Sequence, residues 1–452
     1  MAFSAVDEAV HLLDSEASPW SIQLEVRVAG RLDEARLRQA FRRALAEHPM
    51  ARARKEPSRG GEHADRWNIT PRIDVDPLRA VHCADEGVVA EVRQELQNMA
   101  VPLTESPPLR ARLVHSPGGD VLMLNANHAA MDGFGALRVL RSVATAYTKG
   151  HQASDGLEGM ETRDPAIGPD PIEARDRLRQ LSDADRRTRT RRRLALVDKL
   201  TDLILRPAHL VAEGASGEAG YGFHHHCLSE DFTGELVALP HPGTVNDLLL
   251  AALHLAIADW NFHRGRPCGR IGVLVPANLR PSQWRHEVVG NFSLPARIST
   301  DRRHRRHPQS TLAALTAQTQ RKKDIGIGTA LLEVLQRSHR LPLWAKQVLV
   351  MSLPLGGNRF VDTAMLSNLG ALPDPPAFGT DAGRTVEAWF SPPARMPLGL
   401  TIGAVTVDNR LHLVFRYRRQ LFDSAAARRF EQTFVAELEN LVERVAPTAI
   451  AS

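Results

Sequence analysis

A histidine and an aspartate four residues apart, followed at once by glycine, hold the most chemistry in this chain: His128-Ala-Ala-Met-Asp132-Gly133. An imidazole has an unperturbed pKa of about 6.5. Held rigidly beside a cleft, it can take a proton from an attacking hydroxyl or amine near neutral pH. A carboxylate on the same turn can hold the loop in shape. A histidine at such a place can equally be a satisfied structural residue, so the surrounding sequence has to decide.

The elements that must position these residues are legible. Val121, Met123 and Asn125 alternate with Leu122, Leu124 and Ala126, which predicts a buried strand running into Asn127 and His128. Beyond Gly133 and Gly135, residues 136–147 carry Leu137, Leu140, Val143, Ala144 and Tyr147 at helical spacing. Residues 109–115 pair with 121–127 across the Pro117-Gly118-Gly119 turn. Upstream, residues 21–28 alternate as a strand with one wet face. Asp33 caps a helix that Pro49 stops, and residues 51–55 continue as a strand with Arg52 and Arg54 on one face. A second amphipathic helix covers 86–99. Strand–helix alternation to about residue 150 predicts an α/β lobe.

From 151 to 220 the pattern weakens into a Gly-, Asp- and Pro-rich loop and then a basic helical stretch with Arg186, Arg187, Arg189, Arg191, Arg192 and Arg193. That run reads as a solvated helix face, or as a docking surface for phosphates or an acidic carrier protein. A second lobe starts near Tyr221. Strand 222–227 holds His224, His225 and His226, which alternate between faces and so do not converge on one metal. Thr244 caps an apolar helix to about Phe262 that opens with Asn246-Asp247. A buried strand, 270–275, runs into Pro276-Ala277-Asn278-Leu279-Arg280-Pro281, and Gly290-Asn291-Phe292 follows ten residues after Arg280. Then come Leu366-Ser367-Asn368-Leu369-Gly370, a strand at 411–417, and a last helix with Phe430, Phe434, Leu438 and Leu441 inward.

With 452 residues, 43% hydrophobic and 24% charged, the chain can bury the cores of two lobes. A net charge of +5 fits an anionic small molecule or acidic carrier and is too weak to argue for nucleic acid. Cys83, Cys227 and Cys268 are odd in number and lack metal spacing, as expected of free thiols in a reducing compartment. No apolar run reaches the roughly 20 residues of a membrane span, and the N-terminus lacks a basic leader. The expected location is cytoplasmic.

Five of these stretches carry a resemblance. His128 to Gly133 is similar to the HxxxDG core of the chloramphenicol acetyltransferase-like, condensation-domain acyltransferase superfamily, in which wax ester synthase/diacylglycerol acyltransferases and polyketide-associated acyltransferases are also found. Many members carry HHxxxDG; here Asn127 stands at the first histidine. Residues 276–281 resemble the PVN-L-R stretch, Val289-Gly-Asn-Phe the VGNF element, Ser367 to Gly370 the SNLG turn, and Asn246-Asp247 the ND motif of wax ester synthases.

The resemblance implies an α/β fold of two chloramphenicol-acetyltransferase-like lobes, each a mixed sheet with helices, arranged as a V with a central tunnel. Residues 1–150 would be the N-terminal lobe, 151–220 a basic crossover linker and 221–452 the C-terminal lobe. His128 would be the general base between an acyl thioester and a hydroxyl or amine acceptor. Gly133, Ser367 and Asn368 become candidates for holding the oxyanion. Asp132 would pair with an arginine, Arg280 first, with Arg52, Arg54 and Arg297 as alternatives. Asn127, Asn246, Asp247 and Asn291 are supporting candidates. The co-substrate would be acyl-CoA or a carrier-bound phosphopantetheine thioester, with no cofactor and no metal. An acyl or peptidyl carrier protein is a candidate partner. The alternative is a catalytically silent condensation-like module that recruits a carrier or partner enzyme.

Overall fold

The computed structural model describes residues 1–152, 206–352 and 362–445, apart from 17, 59–61, 218, 282–283, 326–328, 373, 395 and 397. Most of the expected linker, including the arginine run at 186–193, lies outside the described residues.

Two mixed sheets, each flanked by helices, make two lobes. In the first, β1 (Ser21–Val28), β4 (Leu78–His82), β5 (Leu109–His115) and β6 (Val121–Asn127) are joined by a late strand, β11 (Thr385–Ser391), in the order β11-β1-β6-β5-β4. Only β4 and β5 run parallel there. β6 is central and every one of its residues is buried, so its C-terminal end is held from both sides. Helices α2 (Glu34–Glu47) and α4 (Gly133–Gln152) pack together, and α3 (Glu86–Asn98) contacts β5 and β6. A small ribbon, β2 (Ala53–Lys55) with β3 (Trp67–Ile69), and α1 (Ala5–Leu13) complete this side. Arg52 belongs to a 3-10 turn, Pro49–Arg52, because proline at its start favours a turn over an extended chain.

The second sheet runs β7-β13-β12-β10-β8-β9, from β7 (Tyr221–Cys227), β8 (Ile271–Asn278), β9 (Ser293–Thr300), β10 (Ala364–Ala371), β12 (Leu400–Val407) and β13 (Arg410–Arg418). β10 lies parallel to both β8 and β12. Around it stand α5 (Glu230–Ala238), α6 (Val245–His263), α7 (Pro308–Ile325), α8 (Thr329–Ser338), α9 (Leu343–Ser352) and α10 (Ser424–Val445). α6 is buried on nearly all sides, which its leucines and alanines allow.

Two differences from the sequence reading bear on the site. Residues 366–370 form strand β10 rather than a turn. The irregularity comes at its end, where the register slips between Asn368 and Ala371 and Gly370 takes φ +78°. And the chain does not divide cleanly at 150 and 221, because β11 joins the first sheet antiparallel to β1. Its Ala388, Trp389 and Phe390 enter the first lobe's core with Leu372 and Phe378. Gly403 on β12 marks how closely the sheets meet: a Cβ there would lie 2.2 Å from the Phe390 carbonyl oxygen.

Candidate active site

β6 ends at Asn127, a short turn carries His128, and α4 starts at Gly133. The backbone of His128 is pinned from both lobes. Its N–H donates to the Trp20 carbonyl at 3.0 Å, and its carbonyl accepts from the Asn291 side-chain amide at 3.0 Å. The ring is half-buried. Its Nδ1 is buried and meets no hydrogen-bond partner of good geometry. Burial pushes the imidazole pKa down. The Asp132 carboxylate and the carbonyls of His128 and Met131 pull the other way and are outweighed. The neutral ring is therefore the favoured form.

Asn127 is 2% exposed and fully committed to the first lobe. Its amide donates to Asp14 Oδ2 and to the Val101 carbonyl, both at 2.9 Å, and its Oδ1 accepts from the Ala129 N–H at 2.9 Å. It shapes the turn from behind. The part of Asp14 had no signal in the sequence, because its partner lies more than a hundred residues away.

Asp132 points away from solvent into a cage of donors. Arg280 Nη1 donates to Oδ2 at 2.6 Å and Nη2 to Oδ1 at 2.9 Å; the N–H groups of Gly135 and Phe292 add two more bonds at 2.9 Å. The Gly135 bond is an N-cap at the start of α4. Burial alone would raise this carboxyl. The guanidinium charge and the hydrogen bonds outweigh it and hold Asp132 below the usual carboxylate range. Arg280 is anchored in turn on the carbonyls of Val288 and Gly290 and lies over the Phe292 ring at 4.5 Å. A loop of the second lobe is thus locked onto the histidine turn of the first. Gly135 permits the approach, since a Cβ there would meet the Gly290 backbone at 3.0 and 3.1 Å. The other arginines lie elsewhere: Arg52 donates to the Thr70 and Pro71 carbonyls, Arg54 pairs with Asp74, and Arg297 with Asp362.

Gly133 opens α4, and a Cβ on it would stand 3.1 Å from Leu369 of β10. Ser367 and Asn368 precede Leu369 on this strand, and no described contact joins either to His128. Both are half-buried, and Asn368 Oδ1 accepts from the Gly370 N–H at 2.7 Å. Asn246 and Asp247 are not brought to His128 by any described contact. Asp247 closes a capping box with Thr244 at the start of α6. On β7, His224 and His226 face Glu431 while His225 stacks on His412. Among the described residues no group of three histidines, cysteines or acids is placed to hold a metal. Nor is any described helix long and apolar enough to cross a membrane.

No family model matches the chain. It is 34% identical over 442 residues to an uncharacterized protein of Mycobacterium tuberculosis, Rv2305, covering 95% of this chain and 97% of that one. Among solved structures it is similar to the first condensation domain of the calcium-dependent antibiotic synthetase, with a TM-score of 0.69 at 16% identity over 99% of this chain and 98% of that one. It is also similar to the starter condensation domain of rhizomide synthetase solved with C8-CoA, with a TM-score of 0.67 at 16% identity over 100% and 96%. The chain therefore belongs to the family of the mycobacterial protein and has the two-lobed fold of the condensation domains.

Proposed function

We propose that this protein is an acyltransferase that moves an acyl group from a CoA or carrier-protein thioester to a hydroxyl or amine acceptor, with His128 as general base. The observation that carries the reading is the half-buried His128 ring on a turn clamped between both lobes by Asp132 and Arg280. The reading takes Nε2 as the base, with the proton of the neutral ring on Nδ1.

Nε2 takes the acceptor's proton as its oxygen or nitrogen bonds to the thioester carbon. The carbonyl π pair moves onto oxygen, where the Gly133 N–H and the Ser367 or Asn368 side chain are the candidate donors. Collapse breaks the C–S bond, and the imidazolium returns its proton to the departing thiolate. Proton transfer by a placed base is worth about 10²–10⁴ in rate. A passage between the lobes would bring the two substrates to the ring from opposite mouths, adding proximity. Asp132 and Arg280 position the turn and touch no reactant.

The test is mass spectrometry of products from acyl-CoA donors of graded length with a panel of alcohols and amines, wild type against His128→Ala. Acyl ester or amide formed by the wild type and lost in the variant is the expected result. A wild type that forms no product yet retains a phosphopantetheinylated carrier protein would instead establish the silent recruiting module.

A further inference from the structure

Helix α9 buries its charge and exposes apolar side chains. Its one charged residue, Lys346, is buried, with Nζ donating to both Glu8 oxygens at 2.8 Å and to the carbonyls of His63 at 2.5 Å and His339 at 2.9 Å. Its outer face shows Trp344 at 67% exposure and Val348 at 59%, four residues apart and so one above the other. Leu341, in the turn before the helix, adds a third apolar side chain at 42%. A surface helix ordinarily turns such residues inward, and a cluster left outside marks a contact surface.

The sequence around this patch is mostly basic. Between residues 321 and 352 it has Arg321, Lys322, Lys323, Arg337 and Arg340 against Asp324 and Glu333, the charge of Lys346 being met by Glu8 inside. Arg337 and Arg340 are exposed. An apolar tip headed by tryptophan and rimmed by arginine is the chemistry of the interface of an anionic bilayer. There the indole and aliphatic groups enter the headgroup–acyl boundary and guanidinium groups meet lipid phosphates. Three side chains fall well short of the roughly 800 Å² per partner of a stable protein interface. They are enough for shallow insertion assisted by charge.

We propose that the α8–α9 hairpin docks this protein on the surface of an anionic lipid bilayer through Leu341, Trp344 and Val348, with Arg337 and Arg340 on the headgroups. The hairpin is fixed relative to the rest of the molecule. Lys346 clamps α9 to α1, and Leu331, Leu332 and Leu335 of α8 pack with Val6 of α1 and with Leu279 and Leu294 at the ends of β8 and β9. α1 leads directly into Asp14, which holds Asn127 beside His128. Docking would therefore set the membrane along the side where the two lobes adjoin the histidine turn, next to a supply of lipid-soluble substrate. The docking itself does not depend on the acyltransferase reading.

The experiment is vesicle co-sedimentation of the full chain, using phosphatidylcholine vesicles with and without phosphatidylglycerol, at low and high salt. The wild type is expected to pellet with the anionic vesicles, to release with salt, and to stay in solution with neutral ones. Trp344→Ser/Val348→Ser, confirmed folded by its melting curve, should lose about tenfold or more of the partitioning, and Arg337→Gln/Arg340→Gln should lose it on anionic vesicles. Wild-type protein that ignores anionic vesicles at low salt would overturn the proposal. So would a serine variant that still pellets, since the basic run at 186–193 would then be the lipid contact. A concentration-dependent dimer that the serine variant abolishes would assign the face to a second copy instead.

Discussion

His128 is held as a neutral ring because its surroundings penalise a charge more than Asp132 rewards one. Protonation on acidification is thus shifted below the ordinary imidazole value of about 6.5. The rate should rise with pH through an apparent pKa below that value and stay level above it, in a kcat/KM profile of the wild type. A profile whose acid limb falls above 7 would contradict the assignment. Asp132→Asn removes the charge that most favours imidazolium, so the limb should move lower still. The same change leaves Arg280 buried without its carboxylate, a loss of about 3–5 kcal/mol of stability. If Asp132→Asn kept full activity while His128→Ala was dead, the positioning role of Asp132 would be wrong. Asn127→Ala should act differently. It deprives the Asp14 carboxylate and the Val101 carbonyl of a donor and the Ala129 N–H of an acceptor, and costs about 1–3 kcal/mol in a denaturant melt without shifting the pH profile.

At the scale of elements, the site is made by the end of one strand, the start of one helix and one loop that docks on both. Gly135→Ala puts a methyl group 3.0 Å from the Gly290 carbonyl and should force the α4 start and the 288–292 loop apart. Activity should fall more than stability, read as kcat/KM against the melting midpoint. β7 and α10 carry a separate acid-sensitive contact. Burial alone would raise the Glu431 carboxyl; hydrogen bonds and charge from His224 and His226 bring it down to about 2. A carboxyl whose folded pKa lies below its unfolded one stabilises above the unfolded value, and that stability is lost as pH falls through the folded value. Glu431→Gln should therefore be less stable than the wild type at about pH 5, above the carboxyl's unfolded value. The difference should shrink between about pH 4.3 and about pH 2, measured by urea midpoints across that range.

The whole molecule depends on contacts that join the lobes. Arg416 of β13 is fully buried and donates to the carbonyls of Ser21 at 3.1 Å, Gln97 at 3.3 Å and Pro392 at 3.4 Å, with the Tyr221 ring 4.0 Å away. Burial lowers its pKa to about 10. Arg416→Met should take a donor from three buried carbonyls, of which Gln97 keeps Gln23 Nε2 and Pro392 keeps Thr401 Oγ1, and cost about 1–3 kcal/mol, seen as a lower melting midpoint. β11 adds a second tie, since it pairs with β1 while its carbonyl at Phe390 abuts Gly403 of β12.

Much of this was legible residue by residue. The alternation at 121–127, the helical spacing after Gly133 and the capping residues Asp33 and Thr244 each depend on neighbours in the chain, and sequence alone determined those elements. It also marked His128, Asp132 and the 276–292 loop as places where chemistry could gather. It ranked Arg280 first of four arginines for Asp132 by resemblance, but the pair spans 148 positions and only packing settles it. It took residues 366–370 for a turn, since Gly370 breaks the pattern at the strand's end while the parallel pairing to β8 and β12 is invisible along the chain. Asp14 and Arg416 look along the chain like ordinary polar residues. Tertiary structure decided their parts, for hydrogen bonds and charge contacts across a core depend on distance in space, which periodicity along the sequence does not encode.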